Sequence, residues 1–316
     1  MDWTPTDLMA AVSEGARAVL QAEPASWDAL TGAGMLDIDD LCAELALLVE
    51  VGATGAQVPA FEVLSLGWPA RRLHPGAALL TGAPPSRPGP DAAGATLTAR
   101  GDRLSGTLTG VTGVSGAAAI AVHTGDAVWA IDPSEAELTP GMATDHSPAH
   151  QLRLHDVAAT RLGGPELLHA WHQRVDLGVA ALQLGLSRQA IQLTASYVGQ
   201  REQFGRKIGT FQAVSQRLAD AWIDLVGVEV TLWQAAWRVA EGVPADREVW
   251  IARWQAGEAA HRITAAAQHL HGGFGFDRDY PLYRQFVVNR RVAALGGGPQ
   301  STLESLGDLL AARASA

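Results

Sequence analysis

The sequence predicts a mainly α-helical protein with a small β domain in its centre. Residues 1–82 and 161–316 carry apolar residues at helical spacing, whereas residues 83–160 contain short alternating stretches separated by Gly, Asp and Ser. The 316 residues are 47% hydrophobic and 18% charged, as in a folded globular protein with a sizeable core. We therefore expect a shortened N-terminal helical domain, a central β domain and a C-terminal helical bundle.

The N-terminal region contains a clear helix start. The acidic run Asp37-Ile38-Asp39-Asp40 precedes apolar residues that recur from Leu41 to Val51. Acidic groups favour the positive end of a helix dipole, and glycines are common where a helix ends. We expect a helix that buries one face and ends at Gly52 and Gly55.

The central region begins with a loop rich in helix and strand breakers, namely Pro84, Pro85, Pro88 and Pro90. The alternating stretches after it are 95–99, 103–108, 118–122 and 127–131. Their spacing predicts a small antiparallel sheet or barrel.

The C-terminal region predicts an antiparallel bundle of four or five helices, since the breaks between the periodic segments are short. The expected helices span 165–200, 209–241 and 246–271, with a fourth after Pro281 and a fifth after the Gly296-Gly297-Gly298-Pro299 loop.

Charge and composition exclude several classes of function. The net charge is −10 and no basic tract occurs, which argues against a nucleic-acid partner. No apolar run reaches the roughly 20 residues of a membrane span, and the first residues lack the pattern of a signal peptide. The single cysteine, Cys42, rules out a disulfide framework, so we expect a reducing, cytoplasmic location.

One segment carries most of the chemical information. Residues 201–214 read R-E-Q-F-G-R-K-I-G-T-F-Q-A-V, and Leu218, Ala219 and Asp220 follow. This pattern predicts a helix end, a tight turn at Gly205 and a new helix start. Arg201 and nearby backbone amides could face an anion such as a pyrophosphate. Alternatively, Arg201 caps the helix and Phe204 belongs to the core.

The segment resembles the R-x-x-F-G … F-Q … L-A-D signature of acyl-CoA dehydrogenases. Downstream, residues 268–276 read Q-H-L-H-G-G-F-G-F and precede Tyr280-Pro281, which is similar to the Q-x-x-G-G-x-G-[FY] … Y-P stretch of the same family. The resemblance is clear over residues 165–295 and weaker before residue 160. It implies N-terminal helices, a β domain and a four-helix bundle that binds FAD between subunits.

The resemblance also implies which residues contact the cofactor. In homo-oligomeric members, these two motifs reach the pyrophosphate and adenosine half of the FAD that is bound by the neighbouring subunit. The residues that match here are Arg201, Phe204, Gly205, Gln212, His269, Gly272 and Gly273.

In this family a glutamate removes the α-proton of an acyl-CoA thioester while FAD takes hydride from the β-carbon. The usual position of that base falls here on Gly296 or Gly297, and the alternative position on the first bundle helix falls on about Val175. Weak candidates in this chain are Asp176 and Glu258. Asp176 is expected to be a solvated helix residue, since one residue turns it about 100° off the pocket face. For Glu258 we expect a structural hydrogen-bonding role.

The β-domain motifs that hold the flavin ring also depart from the family pattern. The T-E-P-x-A-G-S-D loop has no match, and W-[IV]-T-N is echoed only by Gly110-Val111-Thr112-Gly113. A chain that keeps the motifs for a neighbour's FAD and loses those for its own resembles the short subunit of heteromeric, α2β2 actinobacterial acyl-CoA dehydrogenases of steroid degradation. That resemblance implies a full-length partner that supplies the base, an acyl-CoA substrate and electron-transfer flavoprotein as the electron acceptor.

Two other functions stay open from the sequence. The chain could be a self-sufficient flavoenzyme with an unusual base, or a non-catalytic scaffold. The tryptophans of the bundle, among them Trp222, Trp233 and Trp237, are expected in the core or at a subunit interface. A metal site is not expected, because His169 and His172 lack a third ligand and His269 and His271 cannot share a helix face.

Overall fold

The computed structural model describes residues 5–22, 26–71, 73–74, 77, 79–83 and 95–314. Three helices precede the sheet: α1 (Asp7–Leu20), α2 (Trp27–Gly32) and α3 (Leu41–Thr54). Five follow it: α4 (Pro165–Gln200), α5 (Gln212–Ala240), α6 (Asp246–His271), α7 (Pro281–Ala294) and α8 (Gly298–Ala314). The predicted order of helices, sheet and helical bundle is confirmed. The predicted proline-rich loop at Pro84–Pro90 lies outside the described residues.

Helix α3 starts as predicted but is buried on all sides. The Asp40 carboxylate accepts a hydrogen bond from the Ala43 amide, which caps the helix, and Gly55 ends it with φ +68°. Every residue from Cys42 to Gly52 is buried, so the prediction of one buried face was wrong. The helix lies between α1 and α4, and no side of it remains for water.

Two carboxylates of α3 are buried with it, and both are paired. Glu50 accepts two hydrogen bonds from Arg17 of α1, and Glu44 pairs with Arg71 and Arg174. A buried carboxylate without a cation would be strongly destabilising, so these arginines make the central position of α3 possible.

Seven strands form the central sheet in the described residues. They are β1 (Thr81–Gly82), β2 (Ala95–Arg100), β3 (Arg103–Val111), β4 (Ile120–His123), β5 (Val128–Ile131), β6 (Glu137–Met142) and β7 (Pro148–Gly163). The order is β1-β4-β5-β7-β3-β2, and β6 also pairs with β7. All pairs are antiparallel except β1 with β4. The sheet therefore matches the prediction apart from that parallel pair and the long strand β7.

Helix α4 is the centre of the helical part, since it contacts α3, α5, α6 and α7. Its closest approach is to α3, where Gly52 and Gly185 face each other. A Cβ at Gly52 would overlap the Leu182 carbonyl oxygen, and one at Gly185 would overlap the Val49 carbonyl oxygen. Gly52 thus lies inside α3 and does not end it, which corrects the prediction. It is needed because two backbones meet there.

Across the part of the chain that the structure describes, no helix is long and apolar enough to cross a membrane.

Candidate functional site

The first motif forms an exposed hairpin at the end of α4. Arg201 caps the helix through its backbone amide, which donates to the Tyr197 carbonyl at 2.8 Å. Two short strands, β8 (Glu202–Gln203) and β9 (Arg206–Lys207), then pair around Phe204 and Gly205. Every residue from Arg201 to Lys207 is exposed. The hairpin therefore projects from the bundle.

Phe204 lies at the tip of this hairpin and not in the core. Its side chain is 93% exposed, so the alternative that places Phe204 in the core was wrong. Its φ is +55° and that of Gly205 is +74°, as a type I′ turn requires. A positive φ in an aromatic residue carries strain, and such strain clusters at functional sites.

The Arg201 side chain is available for an external anion. The residue is exposed, and its guanidinium has no hydrogen-bond partner in the described part of the chain. The other arginine of the hairpin, Arg206, lies 4.1 Å over the Phe211 ring, which contacts Phe204 edge-on. The hairpin is therefore held by its own aromatic contacts, and Arg201 stays free.

The second motif is a turn that follows α6. Gly272 has φ +60°, and a Cβ built at Gly272 or Gly273 would meet no atom within 4 Å. Both residues are exposed, so their backbone is open to a ligand. Only residues without a side chain leave this approach open.

Aromatic stacking brings the two motifs together. The buried His271 ring, at the end of α6, stacks on Tyr197 with centroids 4.4 Å apart. The Tyr197 ring also lies 6.2 Å from the Phe274 ring, and the Tyr197 carbonyl accepts the hydrogen bond from the Arg201 amide. Residues far apart in sequence thus form one surface.

His271 holds this junction in a defined protonation state. Its Nδ1 lies 2.8 Å from the Ala267 carbonyl oxygen, so Nδ1 carries the proton, and Nε2 accepts from the Tyr280 hydroxyl at 3.1 Å. Burial lowers the pKa of His271, and the hydrogen bond to Ala267 opposes that shift. The neutral imidazole links α6 to the start of α7.

The remaining predicted contact residues also lie on the surface. Gln212 is the exposed first residue of α5, and His269 is exposed on the last turn of α6. The glutamine of the Q-x-x-G-G pattern stands three residues before the first glycine. In this chain that residue is His269, whereas Gln268 is only 8% exposed. Counting back from Gly272 would have shown this from the sequence.

Asp176 is not a solvated residue. Its side chain is 13% exposed and lies 3.6 Å from the guanidinium of Arg253, which is 2% exposed. Arg253 also donates to the carbonyls of Ala293 and Leu295, immediately before Gly296. The expectation of a solvated Asp176 was wrong because α6 supplies a buried cation opposite it, which the sequence of α4 does not reveal.

The other positions for a base carry no acid. Val175 is buried in the core, and Leu295–Gly297 form a short 3-10 turn. Glu258 borders a cavity of about 490 Å³ together with Gly297 and Gly298. Its side chain is 43% exposed and pairs with Arg262 at 3.6 Å. A half-exposed, ion-paired carboxylate is a poor match for a base that works in a closed apolar pocket.

The Gly110–Gly113 stretch resembles the family's flavin-contact motif, but in this chain Glu62 already contacts it. The Thr112 hydroxyl donates to the Glu62 carboxylate at 2.9 Å, and a Cβ at Gly113 would lie 2.8 Å from Glu62 Cγ. Thr81 binds the Thr112 carbonyl at 2.7 Å. The Glu62 carboxylate therefore takes the place that a flavin ring would need beside Thr112 and Gly113. The residues present do not fit a flavin here.

The tryptophans and histidines considered from the sequence differ in burial and contacts. Trp233 is buried, whereas Trp222 and Trp237 are 55% and 39% exposed on α5. His169 lies 3.1 Å from Asp246 across the bundle. Within the described ranges, no group of three or more His, Cys, Asp or Glu side chains is placed to hold a metal ion.

The helices, the central sheet and the bundle with its projecting hairpin define the acyl-CoA dehydrogenase fold. Residues 172–311 match the family model described as acyl-CoA dehydrogenase, C-terminal domain. The chain is 37% identical over 300 residues to acyl-CoA dehydrogenase FadE27 of Mycobacterium tuberculosis, which covers 85% of this chain and 80% of that protein.

Two solved structures are similar over nearly the whole chain. The ChsE4-ChsE5 complex from Mycobacterium tuberculosis superposes with a TM-score of 0.86 and 30% identity over 98% of this chain and 99% of the matched one. The Tcur3481-Tcur3483 steroid ACAD superposes with a TM-score of 0.85 and 30% identity, over 98% of this chain and 99% of the matched one. This chain belongs to the acyl-CoA dehydrogenase family, whose members are FAD-binding oxidoreductases.

Proposed function

We propose that this chain is the shorter subunit of a heteromeric, FAD-dependent acyl-CoA dehydrogenase, and that it completes the FAD site of a full-length partner. The proposal rests on a difference between the two regions that match flavin-contact motifs of the family: one is open to another molecule, and the other is filled by a side chain of this chain. The Arg201–Lys207 hairpin and the Gly272-Gly273 turn are exposed and open, whereas Thr112 is occupied by Glu62. One region can serve another chain's cofactor, and the other cannot hold this chain's own.

The chemistry of the exposed region suits the phosphate half of FAD. Arg201 offers a free guanidinium, and guanidinium groups bind phosphate oxygens through two parallel hydrogen bonds. The backbone amides of Gly272 and Gly273 can approach such a group closely because no side chain intervenes. Phe204 adds a flat apolar surface at the hairpin tip. When bound, FAD supplies the hydride acceptor, while these residues hold and orient it.

A stripe of exposed apolar residues supports burial of this chain in a larger assembly. On α5 the exposed fractions are 55% for Trp222, 68% for Ile223, 42% for Val226, 62% for Val230 and 39% for Trp237. With 3.6 residues per turn, these five positions fall within an arc of roughly 100°. A monomer rarely leaves such a continuous apolar stripe in water.

The α-proton of the acyl-CoA is removed by the partner in this proposal. Gly296 and Gly297 carry no acid, Asp176 is neutralised by Arg253, and Glu258 is half exposed. The general base that removes this proton must lie within hydrogen-bond reach of the α-carbon, in a site that excludes water. The partner's own pocket is the remaining source of such a group.

The arrangement with two kinds of subunit, the acyl group and the electron acceptor are also part of the proposal. Both similar structures are heteromeric complexes, ChsE4-ChsE5 and Tcur3481-Tcur3483, and the second is a steroid ACAD. By this similarity we propose a heteromeric assembly and a steroid-derived acyl-CoA. The α2β2 stoichiometry and electron-transfer flavoprotein as the acceptor are proposed from the resemblance of the motifs to the family.

Co-expression with a full-length acyl-CoA dehydrogenase from a neighbouring gene tests the proposal. The purified complex should contain about one FAD per pair of unlike chains, and this chain alone should bind FAD poorly. A stoichiometric flavin in the isolated chain would instead indicate a self-sufficient enzyme. Absence of flavin from every complex that forms would indicate a scaffold.

A further inference from the structure

A cavity among the described residues lies apart from the exposed hairpin. Its volume is about 550 Å³, and its walls come from 51–62, the Thr112–Ser115 stretch, the β6–β7 turn, α4 and α7. Pockets for small organic ligands have volumes of roughly 300–1,000 Å³. The cavity is therefore large enough for a small molecule.

One part of the cavity wall is apolar. Leu182 and Leu186 of α4 and Phe61 are each buried, and Val58 and Val288 belong to the same lining. Other parts of the wall are polar and include the Glu62 carboxylate, which accepts the hydrogen bond of Thr112. The contact of α3 with α4 at Gly52 closes one end, because the two backbones touch there. The apolar part of the wall favours contact with a hydrocarbon body over contact with water.

One cation in the lining is available for a ligand. Arg291 is occupied by the buried Asp145 carboxylate at 2.6 Å. Arg284 uses its Nε–H for the Gly55 carbonyl at 3.0 Å, and its two terminal nitrogens have no hydrogen-bond partner in the part of the chain that is described. His150 also lines the cavity, and its buried Nδ1 lacks a partner. Buried polar atoms without partners are uncommon in native proteins.

We propose that this cavity binds an amphipathic organic carboxylate, whose apolar body lies between α4 and α7 and whose carboxylate is bound by Arg284. The planar guanidinium, fixed at Nε by Gly55, presents its two terminal N–H groups to both oxygens of a carboxylate. The ligand is bound and not transformed, and the site is distinct from the FAD contact surface. The proposal rests on the proposed function in one respect, that no flavin occupies this cavity.

Photoaffinity labelling of the co-purified two-chain complex tests this site. The probe is an eight-carbon carboxylate that carries a diazirine, and its neutral primary amide is the matched control. We expect the carboxylate to label this chain within the Gly55–Phe61 segment or α7, and at least fivefold more than the amide does. Equal labelling by both probes, or labelling confined to the partner chain, overturns the inference.

Variants separate the guanidinium from the apolar interior. Arg284→Gln should reduce labelling at least fivefold, whereas Arg290→Gln, an exposed arginine on the same helix, should leave it unchanged. Val288→Phe keeps Arg284 and fills the cavity, so it should also reduce labelling. Retained labelling in both Arg284→Gln and Val288→Phe contradicts the proposal.

The flavin count distinguishes the two proposals. If the carboxylate fails to label this chain while the complex keeps one FAD per pair, only this inference fails. If the carboxylate displaces FAD from this chain, the cavity is a flavin site and the proposed function fails with it.

Discussion

The carboxylate of Asp176 lies 3.6 Å from the guanidinium of Arg253, and both side chains are withdrawn from water. Arg253 also donates to the carbonyls of Ala293 and Leu295, at 3.0 and 2.8 Å. One arginine therefore ties the first bundle helix to the turn where the family usually carries its base. The ion pair with Arg253 therefore gives Asp176 a structural role.

Asp176→Asn should destabilise the chain without removing the base. The substitution removes the negative charge from a buried ion pair, which costs on the order of 3 kcal/mol. We expect a lower Tm, while flavin reduction by acyl-CoA in the complex stays within about tenfold of wild type, or ~1.4 kcal/mol in barrier. Thermal denaturation and stopped-flow flavin absorbance measure the two effects. Complete loss of reduction with FAD still bound would place the base in this chain.

Glu258→Gln is the companion test, because Glu258 borders the cavity that contains Gly297 and Gly298. Its pair with Arg262 is exposed, so the change in stability should be small. Flavin reduction should again stay within about tenfold. Substitution of the partner's pocket glutamate serves as the positive control and should slow reduction by several orders of magnitude. The reverse pattern would make Glu258 the base.

Arg201→Ala should release flavin from the complex and leave its assembly intact. Loss of a charge-assisted contact to phosphate corresponds to ~1.5–3 kcal/mol of binding free energy. Arg201→Lys should retain more flavin than Arg201→Ala but less than wild type, because an ammonium group cannot form the two parallel hydrogen bonds of a planar guanidinium. The flavin-to-protein absorbance ratio and size-exclusion chromatography are the measurements. Arg100→Ala, an exposed arginine of β2, is the control, and equal flavin in all variants would make Arg201 a helix cap only.

Gly185→Ala should destabilise the chain because the new Cβ has no room at the contact with α3. Over-packing of this kind costs about 1–3 kcal/mol. Gly199→Ala lies on the same helix with nothing within 4 Å, so it should be neutral or stabilising by up to about 1 kcal/mol. Chemical denaturation of both variants gives the comparison. Similar free energies of unfolding would refute the close approach of α3 and α4.

Stability should fall as pH drops from about 7 towards 5, in part because of His271. Burial lowers its pKa in the folded state, so below the ordinary value of about 6.5 the unfolded chain takes up the proton first. Above that pH both states are neutral, and His271 contributes no pH dependence. His271→Gln should flatten the plot of Tm against pH. Because burial also lowers the pKa of His123, some slope should remain. An unchanged slope in the variant would show that His271 does not titrate with unfolding.

The sequence by itself determined the order of the elements and most helix bounds. Periodicity and breakers suffice for this, since Pro165, Gly272 and Pro281 act through local backbone geometry. The motif around Arg201 also identified the family and predicted the tight turn at Gly205, although not the positive φ of Phe204. The sequence also showed directly that glycines, Gly296 and Gly297, stand where the family usually carries its catalytic glutamate.

Only the tertiary structure decided which of these residues meet. The burial of α3 on all sides, the pairing of Asp176 with Arg253, and the Glu62 carboxylate on Thr112 each join residues that are distant in sequence. Periodicity reports which face of a helix is apolar, but it carries no information about which charged group another element places opposite. For Asp176 that opposite group, Arg253, turns an expected surface carboxylate into a buried ion pair.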